Sequence, residues 1–245
     1  MERADLSKRT IVTGASSGIG LAISEVLCQM GYQVYGFGRD FSGAEEKMAR
    51  MGASFCPVTI DLLKTEDVLL KLKEIRKEGP VQLLVNNAGA AYYGPHETLK
   101  PAQISEMVRL NLEVPMILTQ ALLRDLKAEK GTVINISSVT AEGVNTYGCV
   151  YGATKAGLAS FTKSLFEEGR KSGLKVVSIA PDMTQTRLYR NADFTVDEEV
   201  SAHLMPEDVA RAVRFILEQP ERMAVAQVTL RPQLHRIKRK KTADK

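Results

Sequence analysis

Tyr151 and Lys155 are the residues of this chain best suited to acid–base chemistry. They stand four residues apart, in Tyr-Gly-Ala-Thr-Lys, and this separation places a phenol and an ammonium on one face of a helix. An unperturbed phenol has a pKa of about 10 and is almost never ionised at neutral pH. An ammonium about 5 Å away favours the phenolate by roughly 3 kcal/mol, or about two pKa units, at an effective dielectric constant of about 20. We therefore expect Lys155 to tune Tyr151 for proton transfer.

A serine pair precedes these two residues in the chain. Ser137 and Ser138 directly follow the apolar run at residues 132–136, which predicts a buried strand. A hydroxyl at a strand end can donate a hydrogen bond to an oxygen on which negative charge develops, while Tyr151 delivers a proton to that oxygen. Ser138, Tyr151 and Lys155 are thus predicted to act together; an ordinary surface pair of Tyr151 and Lys155 is the alternative.

A glycine-rich turn near the N-terminus could hold a phosphate. Residues 13–20 read Thr-Gly-Ala-Ser-Ser-Gly-Ile-Gly, between a β-branched run and a segment whose apolar residues recur at helical spacing. Glycines allow positive φ and close approach of a phosphate, and the helix N-terminus attracts negative charge. The turn predicts a pyrophosphate site, although a tight turn before a helix would look the same. Its candidate residues are Gly14, Ser16, Ser17, Gly18, Ile19 and Gly20.

Strand and helix signals alternate along the rest of the chain. This alternation predicts an α/β fold, a three-layer α/β/α Rossmann-type sandwich around a seven-stranded parallel sheet. The length of 245 residues and the hydrophobic content of 44% suit one such domain. The predicted strands cover residues 10–12, 33–38, 53–60, 81–85, 132–136, 175–180 and 224–230.

The motifs occur in an informative order. The glycine turn has the spacing G-x-x-x-G-x-G, residues 86–89 read Asn-Asn-Ala-Gly after the fourth predicted strand, and Ser138 and the Tyr151/Lys155 pair follow. This combination resembles the short-chain dehydrogenase/reductase family over about residues 8–232. The resemblance implies hydride transfer between a nicotinamide cofactor and a carbonyl or secondary alcohol substrate: a ketone, an aldehyde or a 3-oxo/3-hydroxy compound. It also implies that Tyr151 is the general acid/base.

The resemblance implies further roles in the site. Lys155 would also bind the nicotinamide ribose, Asn111 would hold a water in a proton relay, Asp61 would bind the adenine amino group, and Thr186 would contact the nicotinamide carboxamide or the diphosphate. Asp61 as a helix N-cap and Asn111 as a polar core residue are the structural alternatives. The other implied cofactor contacts are Leu62, Asn87, Ala88, Gly89, Tyr151 and Pro181.

The end of the second predicted strand bears on the choice of cofactor. In the family resembled, the acid that selects NAD aligns with Gly38, and Arg39 follows it here. An arginine pairs with a 2′-phosphate, whereas an acid binds ribose hydroxyls. We therefore expect NADP(H) to be preferred to NAD(H). Arg39 as an ordinary surface charge, neutralised by Asp40, is the alternative.

The chain departs from the family pattern after the sixth predicted strand. Pro-Asp at residues 181–182 replaces the usual Pro-Gly, and Ser178 replaces the preceding Asn, which leaves the path of the next loop open. Residues from about 182 to 205 correspond to the substrate loop of the family. Arg187 and Arg190 in it could recognise an anionic substrate or simply be exposed. A fatty-acyl thioester, steroid, sugar, pteridine or short hydroxy acid all fit this sequence.

Composition limits the other function classes. Lys and Arg total 33 against 29 Asp and Glu, and the surplus lies in the tail, so neither nucleic-acid nor membrane binding is predicted. Residues 233–245 are expected to be a disordered basic tail. The N-terminal segment lacks a signal-peptide core and the three cysteines lack metal-ligand spacing, which predicts a cytoplasmic protein without a metal. The family resemblance implies a homodimer or homotetramer, packed through residues 101–130 and 148–173.

Two other functions share this fold. A catalytically silent NADP(H)-sensing regulator predicts decay at Ser138, Tyr151 or Lys155, and all three are intact. An epimerase or dehydratase shares the nucleotide site, but such relatives usually carry a G-x-x-G-x-x-G turn and a longer C-terminal region. Carbonyl reduction or alcohol oxidation is therefore the favoured function.

Overall fold

The structure is a computed structural model that describes residues 8–240, and its strands are numbered in chain order. They are β1 (Arg9–Thr13), β2 (Gln33–Gly38), β3 (Phe55–Thr59), β4 (Val81–Asn86), β5 (Thr132–Ile136), β6 (Lys175–Pro181), β7 (Phe194–Val196), β8 (Gln227–Leu230) and β9 (Ile237–Arg239). Seven of them form a parallel sheet in the order β3-β2-β1-β4-β5-β6-β8. The predicted seven-stranded Rossmann-type sheet is confirmed.

Helices cover both faces of this sheet. They are α1 (Gly18–Gln29), α2 (Glu45–Met51), α3 (Thr65–Lys77), α4 (Pro101–Val108), α5 (Val114–Ala128), α6 (Cys149–Gly169) and α7 (Pro206–Leu217). Alternate residues of the central strands enter opposite cores: Ile11, Leu84 and Val133 face α3, α5 and α6, whereas Val12, Leu83 and Ile134 face α1 and α7. Burial on both sides explains why these strands are continuously apolar.

The strand order reverses beside β1, which has β2 on one side and β4 on the other. A crevice therefore opens at the carboxyl ends of the central strands, where ligands of doubly wound sheets bind. The glycine turn, the Asn-Asn-Ala-Gly segment and the serine pair each follow one of these strands, so the topology brings them to one edge of the sheet.

The helix that begins at Pro101 is interrupted. It ends at Val108 and continues as a π-helical turn, Arg109–Glu113, before α5 begins. Pro115 stands in the first turn of α5 and has no N–H to donate to the carbonyl four residues earlier, which favours a widened turn. The residues before Pro115 thus form a π-helical segment that carries Asn111.

The expectation of a disordered tail is wrong for its described part. β9 pairs antiparallel with β7, and the Lys240 N–H donates to the carbonyl of Asp193 at 2.7 Å. The unpaired edge of β7 offers backbone hydrogen bonds that a sequence pattern cannot reveal. Residues 1–7, which carry most of the charged N-terminal segment, and residues 241–245 of the tail lie outside the described residues. Within residues 8–240, no helix combines the length and apolarity that a membrane crossing needs.

Candidate active site

A cavity of about 340 Å³ follows the carboxyl edge of the sheet. Most of the predicted site residues line it: Gly14, Ser16, Ser17, Gly18, Ile19, Arg39, Asp61, Leu62, Asn87, Ala88, Gly89, Ser138, Tyr151, Lys155, Pro181 and Thr186. Gly20 and Asn111 are not part of its wall. The structure therefore gathers residues spread over more than half of the chain into one groove.

The glycines of the first turn have different tasks. Gly14 and Gly18 adopt positive φ, at 67° and 52°. Gly20 instead permits close packing, because a Cβ on it would lie 2.2 Å from the Gly14 carbonyl oxygen and 2.5 Å from Asn87 Nδ2. Gly20 thus lets α1 approach the end of β1, and its contact with the cofactor stays a prediction.

The N-terminus of α1 is built to receive an anion. Its N-cap, Ser17, makes no side-chain cap hydrogen bond, and the first turn holds no acidic residue. The first N–H groups of the helix and the positive end of its dipole therefore face the cavity without an internal counter-charge. This arrangement fits a diphosphate group.

The tip of β2 differs from a site that binds an unphosphorylated ribose. A Cβ on Gly38 would lie 2.9 Å from Ser16 Cβ, so an acidic side chain has no room there. Asp40 does not pair with Arg39; its carboxylate accepts hydrogen bonds from Ser42 N and Ser42 Oγ, both at 2.8 Å, which lower the pKa of Asp40. Among residues 8–240, Arg39 makes no ion pair, and its guanidinium lies on the cavity wall.

The Asn-Asn-Ala-Gly segment fixes the floor of the groove. Thr13 Oγ1 accepts hydrogen bonds from the N–H groups of Asn87 at 2.9 Å and Ala88 at 3.0 Å, and Asn87 Nδ2 donates to the Thr13 carbonyl at 2.8 Å. Asn86 Nδ2 donates to Asn135 Oδ1 of the next strand at 2.8 Å. These amides tie the central strands together.

Tyr151 and Lys155 lie on the first turns of α6, on the wall of the cavity, and only 5% and 4% of their surfaces are exposed. The Lys155 ammonium donates to the Ile136 carbonyl at 2.8 Å and lies 5.8 Å from the centroid of the Tyr151 ring. Ser138, also buried, borders the same space. The three predicted reacting groups therefore converge.

The electrostatics of this pair differ from the expectation. Burial raises the pKa of Tyr151 above its ordinary value, the neighbouring Tyr189 raises it further, and the hydrogen bond from Ser138 lowers it. Burial also lowers the pKa of Lys155 to about 8. Desolvation thus outweighs the predicted lowering of the phenol pKa by Lys155, because both groups are buried and the ammonium is directed to a carbonyl.

Asn111 lies behind the cavity wall and connects two segments of the site. It is fully buried in the π-helical turn, its Oδ1 accepts from Ala90 N at 2.8 Å, and its Nδ2 donates to the Ala90 carbonyl at 2.9 Å and to Thr154 Oγ1 at 3.1 Å. Thr154 in turn donates to the Tyr151 carbonyl at 2.8 Å. Asn111 thereby joins the segment after β4 to the helix that carries Tyr151, and its role in a proton relay stays a prediction.

A group of aromatic side chains lies beside Tyr151, and the sequence did not predict it as part of the site. The Tyr93 ring lies 5.9 Å from that of Tyr151, 6.4 Å from that of Tyr189 and 4.9 Å from that of Phe194. Tyr189 lines the cavity, together with Arg187 and Arg190. Because Tyr189 and Phe194 stand in a loop without periodicity, only tertiary contacts place them against the reacting groups.

Asp182, which departs from the family pattern, is held by its own loop. Its side chain is 8% exposed, Oδ1 accepts from Met183 N at 2.8 Å, and Oδ2 lies 3.4 Å from Nη1 of Arg231. The carboxylate therefore stabilises the start of the loop at the cavity edge rather than standing unpaired in the groove.

Comparisons with known proteins agree with this geometry. A family model described as short chain dehydrogenase matches residues 8–196. A 3-oxoacyl-(acyl-carrier-protein) reductase of Vibrio cholerae is 33% identical over 234 residues, covering 91% of this chain and 94% of that protein. An alcohol dehydrogenase of the archaeon Thermococcus sibiricus, solved with 5-hydroxy-NADP, superposes with a TM-score of 0.84 at 26% identity, covering 94% of this chain and 98% of that one. A 3-ketoacyl-(acyl-carrier-protein) reductase of Brucella melitensis, solved with NADH, gives a TM-score of 0.82 at 26% identity, with coverage of 92% and 98%.

Proposed function

Because this chain belongs to the short-chain dehydrogenase/reductase family, we propose that it is an NADP(H)-dependent oxidoreductase acting on a carbonyl or secondary alcohol substrate. The substrate is a ketone, an aldehyde or a 3-oxo/3-hydroxy compound. The observation that carries this proposal is the convergence of Ser138, Tyr151 and Lys155 in a groove that also contains the N-terminus of α1, whose first turn holds no acidic residue.

The cofactor preference rests on this chain's own residues, since one structural neighbour was solved with an NADP derivative and another with NADH. The first turn of α1 would hold the diphosphate. Arg39 would pair with a 2′-phosphate, because Asp40 is engaged by Ser42 and an acid cannot fit at residue 38. Asp61 and Thr186, both on the cavity wall, would contact the adenine and nicotinamide portions.

The bound nicotinamide supplies or accepts the hydride, and the protein manages the proton and the developing charge. In reduction, Ser138 donates a hydrogen bond to the substrate oxygen and Tyr151 gives it a proton. Burial keeps the Tyr151 phenol protonated at neutral pH, which suits a general acid. Lys155, with a pKa of about 8, is an ammonium below that pH and stabilises the tyrosinate that remains after proton transfer.

The family resemblance also supports a homodimer or homotetramer, as part of the same proposal. The helices that would pack between subunits are α4 to α6, where Val108 is 41% exposed.

The first test measures consumption of NADPH and NADH by the wild-type protein and by Tyr151→Phe, over a panel of ketones, aldehydes, diketones and 3-oxo acids. We expect NADPH to be preferred and Tyr151→Phe to lose about 10³-fold in kcat, because the phenylalanine has no proton to give. Tyr147→Phe is the matched control, since that tyrosine is 62% exposed. Equal rates for wild type and Tyr151→Phe would refute the role of Tyr151. NADPH binding without turnover on the whole panel would favour an NADP(H)-sensing regulator.

A further inference from the structure

The C-terminal segment binds the substrate loop, here residues 182–205, along much of its length. β9 pairs with β7, joining Phe194 to Arg239 and Val196 to Ile237. The pairing is extended in both directions, because Leu234 N donates to the Ser201 carbonyl at 2.8 Å and Lys240 N to the Asp193 carbonyl at 2.7 Å. The chain end is therefore attached to the loop at several points.

The side chain of Lys240 makes the most concentrated of these contacts. Its Nζ donates to the carbonyls of Tyr189 at 2.7 Å, Ala192 at 2.8 Å and Arg190 at 3.3 Å. These three carbonyls lie at the C-terminal end of the 3₁₀ turn Arg187–Asn191, where the negative end of the backbone dipole attracts an ammonium, and the Tyr189 carbonyl also accepts from Ala192 N at 3.1 Å. An ammonium has three donors, so all three contacts can form together.

The turn that Lys240 binds carries Tyr189, whose side chain reaches the reacting groups. Tyr189 is 9% exposed, lines the cavity, and packs its ring 5.6 Å from Phe194 and 6.4 Å from Tyr93. The Tyr93 ring is the one beside Tyr151. The Tyr189 backbone thus binds Lys240, and the Tyr189 side chain packs on the Tyr93 ring that lies beside Tyr151.

We propose that Lys240 is a positioning residue, which binds the carbonyls of residues 189, 190 and 192 and thereby holds Tyr189 against the substrate end of the cavity. The C-terminal strand is then part of the substrate site, although Lys240 itself does not line the groove. The kinetic part of this inference rests on the proposed function.

Lys238 provides a matched control on the same strand. Its ammonium pairs with the carboxylate of Glu198, and both side chains are largely exposed. Exposed ion pairs of this kind contribute little to stability. Removal of either lysine changes the net charge of the tail equally, so a difference between the two variants reports the carbonyl contacts of Lys240.

The kinetic test compares Lys240→Ala, Lys240→Arg and Lys238→Ala, using the panel substrate that the wild type reduces best. For Lys240→Ala we expect KM for the carbonyl to rise about fivefold to tenfold, with kcat changed less than about twofold, because substrate contacts are loosened and the reacting groups are not. The affinity for NADPH, followed by its fluorescence, should stay at the wild-type value. Lys240→Arg should recover part of the lost KM, and Lys238→Ala should match the wild type.

A second test needs no turnover. Chymotrypsin cleaves after aromatic residues; Tyr189 and Phe194 lie in the substrate loop, and residues 231–245 contain no aromatic residue, so the protease does not remove the tail at such a site. We expect cleavage at Tyr189 or Phe194, identified by mass spectrometry, to be about tenfold faster in Lys240→Ala, because the loop opens more often.

The inference is wrong if Lys240→Ala keeps the wild-type KM, if it keeps the wild-type cleavage rate, or if Lys238→Ala changes either by the same factor. Failure of the proposed function is a separate result. It would appear as undiminished turnover in Tyr151→Phe, and the chymotrypsin comparison would still decide the role of Lys240.

Discussion

The two ends of the groove are constructed differently. At the cofactor end, residues at the carboxyl ends of β1 and β4 are joined by hydrogen bonds, such as those between Thr13 and Asn87. At the substrate end, a loop with little regular structure is held by aromatic packing, by β9 and by Lys240. The comparison shows that the sheet positions one half of the site, whereas contacts distant in sequence position the other.

This division predicts that substitutions at the cofactor end change cofactor affinity and leave the substrate end unaffected. Among the changes that compare the two ends of the groove, we expect the largest effect for Arg39→Ala. Loss of a charge-assisted contact with the 2′-phosphate should raise KM for NADPH about 30-fold, equivalent to about 2 kcal/mol. KM for the carbonyl should be unchanged.

Steady-state kinetics with both cofactors checks this prediction, and NADH is the internal control. KM for NADH should stay within about twofold of the wild-type value, because NADH has no 2′-phosphate for Arg39 to bind. A parallel loss with both cofactors would mean that Arg39 supports the fold of the site instead of selecting the cofactor.

The pH dependence of the reacting pair, Tyr151 and Lys155, is the next largest effect. Burial lowers the pKa of Lys155 from its ordinary range to about 8, so the ammonium is present below that pH and is lost above it. The rate of carbonyl reduction should therefore be level below pH 8 and should fall by about tenfold per pH unit above it.

A pH profile of kcat/KM for reduction tests this, with stability checked at each pH by circular dichroism. Lys155→Arg provides a comparison, because its guanidinium stays charged over the whole range. If Lys155→Arg retains activity, its kcat/KM should not fall above pH 8. A wild-type rate that stays level to pH 10 would contradict the assignment of this pKa to catalysis.

The smallest effect is expected at the substrate end. Tyr189→Leu removes a ring that lines the cavity and packs on Phe194, and it should raise KM for the carbonyl about fivefold. NADPH affinity should remain within about twofold of the wild-type value, because Arg39 and the first turn of α1, which are proposed to bind the 2′-phosphate and the diphosphate, lie on other elements. A fluorescence titration with NADPH and carbonyl kinetics measure the two quantities.

Tyr147→Leu is the control for this substitution, as Tyr147 is largely exposed. An equal loss of NADPH affinity and carbonyl affinity in Tyr189→Leu would show that the two ends of the groove are not independent. The sheet and the loop contacts would then not position separate halves of the site.

Much of the fold could be predicted because its strands are short, apolar and separated by clear stops. β5 begins and ends at the predicted residues, and β2 does so as well. The site residues that were predicted from motifs follow strands, and parallel strands bring their carboxyl ends to one edge. Ser138, Asn87 and the glycine turn therefore meet without any information beyond order and spacing.

Other features depended on neighbours that the sequence does not identify. The packing role of Gly20 follows from the approach of the Gly14 carbonyl, and the π-helical turn at Asn111 follows from how α4 and α5 join. The pKa of Tyr151 was expected to be lowered by the nearby charge of Lys155, but burial of both groups has the opposite and larger effect. Burial is a property of the whole fold.

By itself, the sequence determined the layered sheet, the order of its motifs and the side chains that are proposed to react, because local spacing sets secondary structure and the topology of parallel strands then aligns their ends. Only the tertiary structure decided what surrounds Tyr151 and what becomes of the basic tail. Tyr189, Phe194 and Lys240 are separated from Tyr151 by 38 to 89 residues, and no local pattern encodes their contacts. A free strand edge in the substrate loop paired with residues 237–239, and that long-range pairing placed part of the predicted disordered tail against the loop.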